Sequence, residues 1–408
     1  MSDRSNRWTF RCIKCDSEYE AEPRSFQCMK CGSLVELRLK RKPPSPEELF
    51  PRSRPIRVWR YAHALPFAPK EEAVTMGEGG TPLVPSVKIG PKAGLKHLSI
   101  KNEGQNPTGS FKDRGMTVAV SRAKERGAKV LLCASTGNTA ASLAAYASRA
   151  GMKSAVLVPA GKVAGGKLTQ AFVYGAKILS VSGGFDQALE AVMELAASRD
   201  DIYLLNSINP YRIEGQKTAA YEVYEQLGNR VPDALILPVG NAGNISAYWK
   251  GFRELREWGI SSSLPRMIGV QARGAAPIAE AIAEGKENVT AWASPETVAS
   301  AIRIGNPVSW MKALRAIRES RGLCLQVTDA EILRAQADLA SGEGLYVEAA
   351  SAAPIAALKH LRDQVGSEDR VVCVATGSGL KEQHTTGRGA DERITPVRKT
   401  DLLDQILG

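Results

Sequence analysis

The chain has 408 residues, 43% hydrophobic and 24% charged, with a formal net charge of +11. That balance excludes a disordered or fibrous protein and supplies apolar surface for two or more cores. The N-terminal MSDRSNRWTF lacks the apolar run of a signal peptide, and charges such as Arg149 and Lys153 interrupt the most apolar stretches, so a cytoplasmic chain without a membrane span is expected.

The first element is a cysteine cluster. Cys12-x2-Cys15 and Cys28-x2-Cys31 offer four thiolates from two knuckles, the donor set of one tetrahedral Zn2+. Two disulfides are the alternative, which a cytoplasmic chain disfavours. With all four positions cysteine, no coordination place remains for a reacting water, so the predicted metal is structural and residues 1–40 form a zinc ribbon. Cys133, Cys324 and Cys373 lie in strand-like or mixed apolar contexts and read as inert core thiols. His63, His97, His360 and His384 have no ligand spacing. Residues 41–75, opening with RKPPSPEELFPRSRP, read as an extended Pro-rich linker.

From about residue 95 the chain repeats a unit of apolar run, small-residue loop and helix. KVLLC, KSAVLVPA, AKILSV, DALILPVG, RMIGVQA and RVVCVATG lack alternation, as strands of parallel sheets covered on both faces do. The predicted class is α/β, with two lobes because the region is long for one sheet. Three loops following these runs carry polar or backbone donors: Ser135-Thr136-Gly137-Asn138-Thr139, Gly240-Asn241-Ala242-Gly243-Asn244 and Thr376-Gly377-Ser378-Gly379. Loops of this kind at strand ends bind ligands in open parallel sheets, and the first two, opening helices, suit a carboxylate and a phosphate. NPTGSFKDRG, residues 106–115, places Lys112 in the first turn of a predicted helix. The positive pole there disfavours an ammonium ion and lowers its pKa. A surface lysine offset by Asp113 is the ordinary interpretation; an amine for Schiff-base chemistry is the functional one.

NPTGSFKDRG, STGNTAAS, NSINPYRIEGQKT, PVGNAGN and AIRIGNPVSW together resemble the motifs of threonine synthases, over about residues 75 to 385. These are pyridoxal-5′-phosphate (PLP) enzymes of the tryptophan synthase β-like fold (fold type II), with open, mostly parallel sheets; some carry a similar zinc ribbon. The resemblance implies a large PLP-binding lobe of residues 76–110 and 206–408 and a small lobe of residues 111–205. It implies Lys112 as Schiff-base lysine and proton carrier, Asn138 on the cofactor's phenolic oxygen, and Gly240, Asn241, Ala242, Gly243 and Asn244 on its phosphate. Thr376 would meet the pyridine nitrogen, where a hydroxyl suits elimination better than transamination. Ser135, Thr136 and Thr139 would take the substrate carboxylate, and Asn206, Ser207 and Arg212 the phosphate of O-phospho-L-homoserine. The implied reaction converts that substrate and water to L-threonine and phosphate, in a homodimer.

Two other chemistries on the same scaffold are a cysteate synthase and a threonine dehydratase; SFKDRG followed by EGQKT looks unlike the dehydratase. A zinc-ribbon nucleic-acid-binding protein would use the positive charge, but leaves the loop motifs without a purpose, and the ribbon lacks interleaved aromatics for stacking bases. The Arg-rich segment from Gly387 is expected to form a surface loop and a terminal helix.

Overall fold

The computed structural model describes residues 8–23, 26–40, 43–66, 73–160, 165–182 and 185–382; the segment from Gly387 lies outside them. Its strands follow the hydrophobic runs. β1 (Trp8–Cys12), β2 (Glu18–Tyr19) and β3 (Val35–Leu39) form an antiparallel ribbon sheet in the order β2-β1-β3. β4 (Leu83–Pro85) and β5 (His97–Asn102) join a larger sheet, whereas β6 (Val130–Ala134), β7 (Lys153–Pro159), β8 (Lys177–Val181) and β9 (Ile202–Leu204) form a smaller one. β10 (Ala234–Pro238), β11 (Arg266–Ala272), β12 (Leu323–Val327) and β13 (Arg370–Ala375) complete the larger sheet. β10 is buried along its whole length, and β11 and β13 at all but their first residue, because helices cover both faces.

The strand orders decide where ligands can bind. In the smaller sheet, β8-β7-β6-β9, the chain leaves β6 toward β7 on one side and returns to β9 on the other. In the larger, β12-β11-β10-β13-β5-β4, it leaves β10 toward β11 and returns to β13 on the opposite flank; only β4 is antiparallel. Each reversal opens a crevice beyond the carboxyl ends of two neighbouring strands. The loops after β6 and β9, and after β10 and β13, therefore line these crevices. They carry Ser135–Thr139, Asn206–Ser207, Gly240–Asn244 and Thr376–Gly379.

The Pro-rich stretch differs from expectation. Ser45 caps a helical turn, Pro46–Leu49, with Pro46 at its first position, and Val58–Ala64 forms a 3-10 helix. Leu49 and Tyr61 are fully buried; Tyr61 lies 5.4 Å from the Tyr221 ring and its hydroxyl donates to Glu225 at 3.1 Å. A proline at a helix start ends the preceding segment without preventing packing, so proline count alone misjudged this region.

The ribbon is likewise joined to the body. Trp8, Phe10, Phe26 and Leu37 belong to one apolar cluster with Leu131, Val156 and Tyr203 of the smaller-sheet lobe. Lys217 sits 4.9 Å from the Trp8 ring, and Arg315 donates to the Ile13 carbonyl at 3.0 Å. Among the described residues no helix is long and apolar enough to cross a membrane.

Candidate functional site

Two helices build the centre of the cleft. Lys112 is the first residue of Lys112–Glu125 and Arg212 the third of Pro210–Gln226. One turn further in, the helices cross with backbones in contact: a Cβ on Gly115 would come 2.8 Å from the Arg212 carbonyl oxygen, and one on Gly215 would come 1.9 Å from that of Arg114. No other residue type fits, so these glycines of SFKDRG and IEGQK bring Lys112 and Arg212 to one place. The neighbouring Arg114 locks the crossing: buried, it binds Glu103 at 2.6 Å through Nε and Glu222 at 2.6 Å through Nη1.

Asp113, which the surface-lysine interpretation would pair with Lys112, turns away. Its carboxylate accepts the Thr108 amide at 2.7 Å, the Thr108 hydroxyl at 2.6 Å and the Ser142 hydroxyl at 2.5 Å. Burial nonetheless pushes Asp113 up to about 6. It holds the turn 106–110 and leaves the ammonium to other neighbours.

The Lys112 pKa falls to about 7, first through burial and then through the charge of Arg212, with Lys381 adding to this and Glu348 opposing it. The helix pole acts in the same direction. Arg212 is 2% exposed; Nη1 donates to the Leu205 carbonyl at 3.1 Å, while Nε is buried without a partner. Among the described residues no carboxylate pairs with it, and burial draws even this guanidinium down to about 10. An uncompensated buried cation is costly and calls for an anionic ligand. The sign for Lys112 is that lowering its pKa leaves the free amine dominant above about 7. Cofactor uptake by the cofactor-free protein should therefore rise about tenfold per pH unit up to that value and then level off. A rise continuing to pH 10, followed by visible absorbance, would mean an ordinary lysine is reacting.

The loop after β6 presents Ser135, Thr136, Gly137, Asn138 and Thr139, all partly exposed, at the start of the helix Asn138–Ala150. Ser135 Oγ accepts the Gly137 amide at 3.2 Å. The Asn138 amide is committed to Glu348, at 3.1 and 3.0 Å from its two carboxylate oxygens. Glu348, which sequence reasoning missed, is 5% exposed and sits at the start of the helix Ala349–Ala357. Thr376 Oγ1 lies 3.0 Å from Ser351 Oγ and 3.4 Å from Glu348. Its carbonyl accepts the Phe111 amide at 3.0 Å, which places the β13 loop beside Lys112. After β10, Ala242 adopts a left-handed φ of 64°, costly without a glycine. The side-chain nitrogen of Asn244 is buried with no partner. Gly240 would bring a Cβ 3.0 Å from the Ala301 carbonyl, so that loop is pinned from behind. Asn206 pairs both ends of its amide with the Ala134 backbone at 2.9 Å, bracing the loop after β6, whereas Ser207 is partly exposed.

A model of the pyridoxal-phosphate dependent enzyme family matches residues 74–377. The threonine synthase of Methanocaldococcus jannaschii is 51% identical over 97% of this chain and 98% of its own. That of Methanosarcina acetivorans is 51% identical over 92% of each. The chain belongs to the threonine synthase family. Maize serine racemase superposes with a TM-score of 0.63 over 80% of this chain and 91% of its own, at 22% identity, which speaks to the shared fold. The two-lobed fold of type II PLP enzymes is thus this chain's fold, and PLP its cofactor.

The residues present fit that cofactor. A threonine synthase needs a deprotonated amine and a phosphate cradle; Lys112 offers the first, and the strained strand-to-helix turn after β10, with its unpartnered Asn244 nitrogen, the second. In the ribbon, the Sγ atoms of Cys12, Cys15, Cys28 and Cys31 all lie within 4.8 Å of one another; Cys12 is 3.5 Å from Cys31 and Cys15 is 3.5 Å from Cys28. Tetrahedral thiolates at about 2.3 Å from one zinc ion would be separated by roughly 3.8 Å.

Proposed function

We propose that this cleft converts O-phospho-L-homoserine and water to L-threonine and phosphate. Arg212 carries the reading: a buried guanidinium without a carboxylate, in a cleft built around a lysine of lowered pKa, needs a phosphate group. Ser207, partly exposed on the loop after β9, adds a hydroxyl. Asn206 contributes by bracing the loop and by its second N–H. Ser135, Thr136 and Thr139, on the loop after β6 that Asn206 braces, receive the carboxylate.

The PLP-holding residues are Lys112, Asn138 at the phenolic oxygen, Gly240 to Asn244 at the phosphate and Thr376 at the pyridine nitrogen. Bound there, the cofactor supplies an electron sink for carbanion chemistry. Asn138 exchanges its Glu348 contacts for the phenolic oxygen, a similar anionic acceptor. Lys112, a free amine near neutral pH, takes a proton from the substrate Cα and then from Cβ. Arg212 holds the phosphate as it departs from Cγ, and water adds at Cβ. Lys112 returns its protons to carbon. The enzyme works between a lobe of residues 111–205 and a larger one formed by residues 76–110 with the chain from 206 onward. It works as a homodimer, as the family implies, in the cytoplasm.

Incubation with O-phospho-L-homoserine should release phosphate and threonine in equal amounts. Faster turnover of O-phosphoserine with sulfite would assign the site to cysteate synthesis instead.

The ribbon's four thiolates bind one structural zinc. One equivalent per chain should be found by metal analysis, and the double change Cys12→Ser with Cys28→Ser should abolish it. Because Trp8, Phe10 and Phe26 sit in the smaller-sheet cluster, Tm should fall while PLP is retained. Retained fold and substrate binding with turnover lost would instead make the metal a participant in the chemistry.

A further inference from the structure

We propose that Glu22 of the ribbon is a positioning residue for the anion site, through Tyr203 and Tyr211. This inference rests on Arg212 binding the substrate phosphate. The Glu22 side chain is 5% exposed, and its two oxygens divide between two tyrosines: Oε1 accepts the Tyr203 hydroxyl at 3.1 Å and Oε2 the Tyr211 hydroxyl at 3.0 Å. Tyr203 lies in β9 and Tyr211 directly precedes Arg212. One carboxylate thus ties together the two ends of the loop 205–209, which carries Asn206 and Ser207. The tyrosine rings are seated by ribbon aromatics, Phe26 at 5.6 Å from Tyr203 and Phe10 at 6.1 Å from Tyr211.

Inside the clamp the loop is fixed link by link. Asn209 donates to the Leu204 carbonyl at 2.8 Å and accepts the Tyr211 amide at 3.0 Å, capping the Arg212 helix. Arg212 itself reaches back to the Leu205 carbonyl. A shift of Tyr211 relative to Tyr203 must therefore move Arg212 relative to the loop. Arg126 and Arg122 also approach Glu22, at 2.7 and 3.4 Å, but they belong to the end of the Lys112–Glu125 region remote from Lys112. Both neutralise the carboxylate; Arg122 also lies over the Tyr211 ring, 5.5 Å from its centroid, which leaves Arg126 as the control. The ribbon accordingly acts as an external brace on the phosphate-binding loop, in addition to holding a metal.

The test uses the full-length PLP-loaded enzyme, with inorganic phosphate binding measured by calorimetry beside steady-state kinetics. Tyr211→Phe keeps the ring and removes only the hydroxyl link. It should raise the phosphate Kd and the KM for O-phosphohomoserine roughly tenfold, with kcat little changed. Glu22→Ala should do the same, and Glu22→Gln, which can still bridge two hydroxyls, should recover most of the loss. Arg126→Ala, which removes an ion pair outside the loop, should leave both constants within about twofold. Wild-type-like phosphate affinity in Tyr211→Phe, or an equal loss in Arg126→Ala, would overturn the inference while leaving the proposed function standing. Failure of the wild-type enzyme to bind phosphate or use O-phosphohomoserine would instead remove the proposed function, and this inference with it.

Discussion

Replacing Lys112 with alanine should slow turnover by several orders of magnitude while leaving the fold intact, the largest effect expected of any single change. One amine serves both as the cofactor's attachment and as the proton carrier between Cα and Cβ, so its loss removes two contributions together. Structural cost is small because, among the described residues, Lys112 forms no ion pair that its removal would orphan; its nitrogen lies over the Phe111 ring, 4.1 Å from the centroid. Borohydride reduction of the loaded enzyme followed by peptide mapping should find the cofactor on Lys112. The buried rivals are committed elsewhere: Lys101 pairs with Glu222 at 2.8 Å, and Lys217 with Glu214 at 2.6 Å and Glu254 at 2.9 Å. A reduced adduct on either would refute the assignment.

Arg212→Leu should cut kcat/KM for O-phosphohomoserine by roughly one to two powers of ten or more, without changing the cofactor spectrum. Charge-assisted hydrogen bonds to a dianion contribute about 1.5–3 kcal/mol each, a gain unavailable to a neutral acetyl ester. Any slow reaction of O-acetylhomoserine should therefore scarcely change. Stability separates function from scaffolding as well. Because the guanidinium is buried without a carboxylate, Arg212→Met, an apolar replacement closer in reach than leucine, removes a desolvation cost, and the Tm of that phosphate-free variant should not fall. Equal losses on both substrates together with a lower Tm would make Arg212 a structural residue.

The parts legible in the sequence are those written in contiguous residues. KVLLC, KSAVLVPA, AKILSV, DALILPVG, RMIGVQA and RVVCVATG became β6, β7, β8, β10, β11 and β13; in all but the edge strand β8 the apolar run reflects burial on both faces. Among the strands that escaped the pattern, β9 has three residues, β12 buries only its last, and Ser99 and Lys101 interrupt the apolar run of β5. The switch-point loops follow those strands, so their place in the cleft was legible too. What pairs with what across the chain was not. Glu348 looks like an ordinary helix-start residue in YVEAAS until folding brings it to Asn138, 210 positions earlier in the sequence. Gly115 and Gly215 stood inside quoted motifs, yet their steric role depends on a helix crossing that no local signal reports. Asp113 could not be placed for the same reason, because adjacency to Lys112 along the chain says little about which way its carboxylate turns.

The most direct test of the account is the reaction in 18O-labelled water. If Arg212 holds the phosphate as it leaves Cγ and water then adds at Cβ, the label should appear in the hydroxyl of threonine, and the released phosphate should carry none. Label in the phosphate with homoserine as the product would show attack at phosphorus, and would contradict the carbon-centred elimination that the pairing of Lys112 with Arg212 implies.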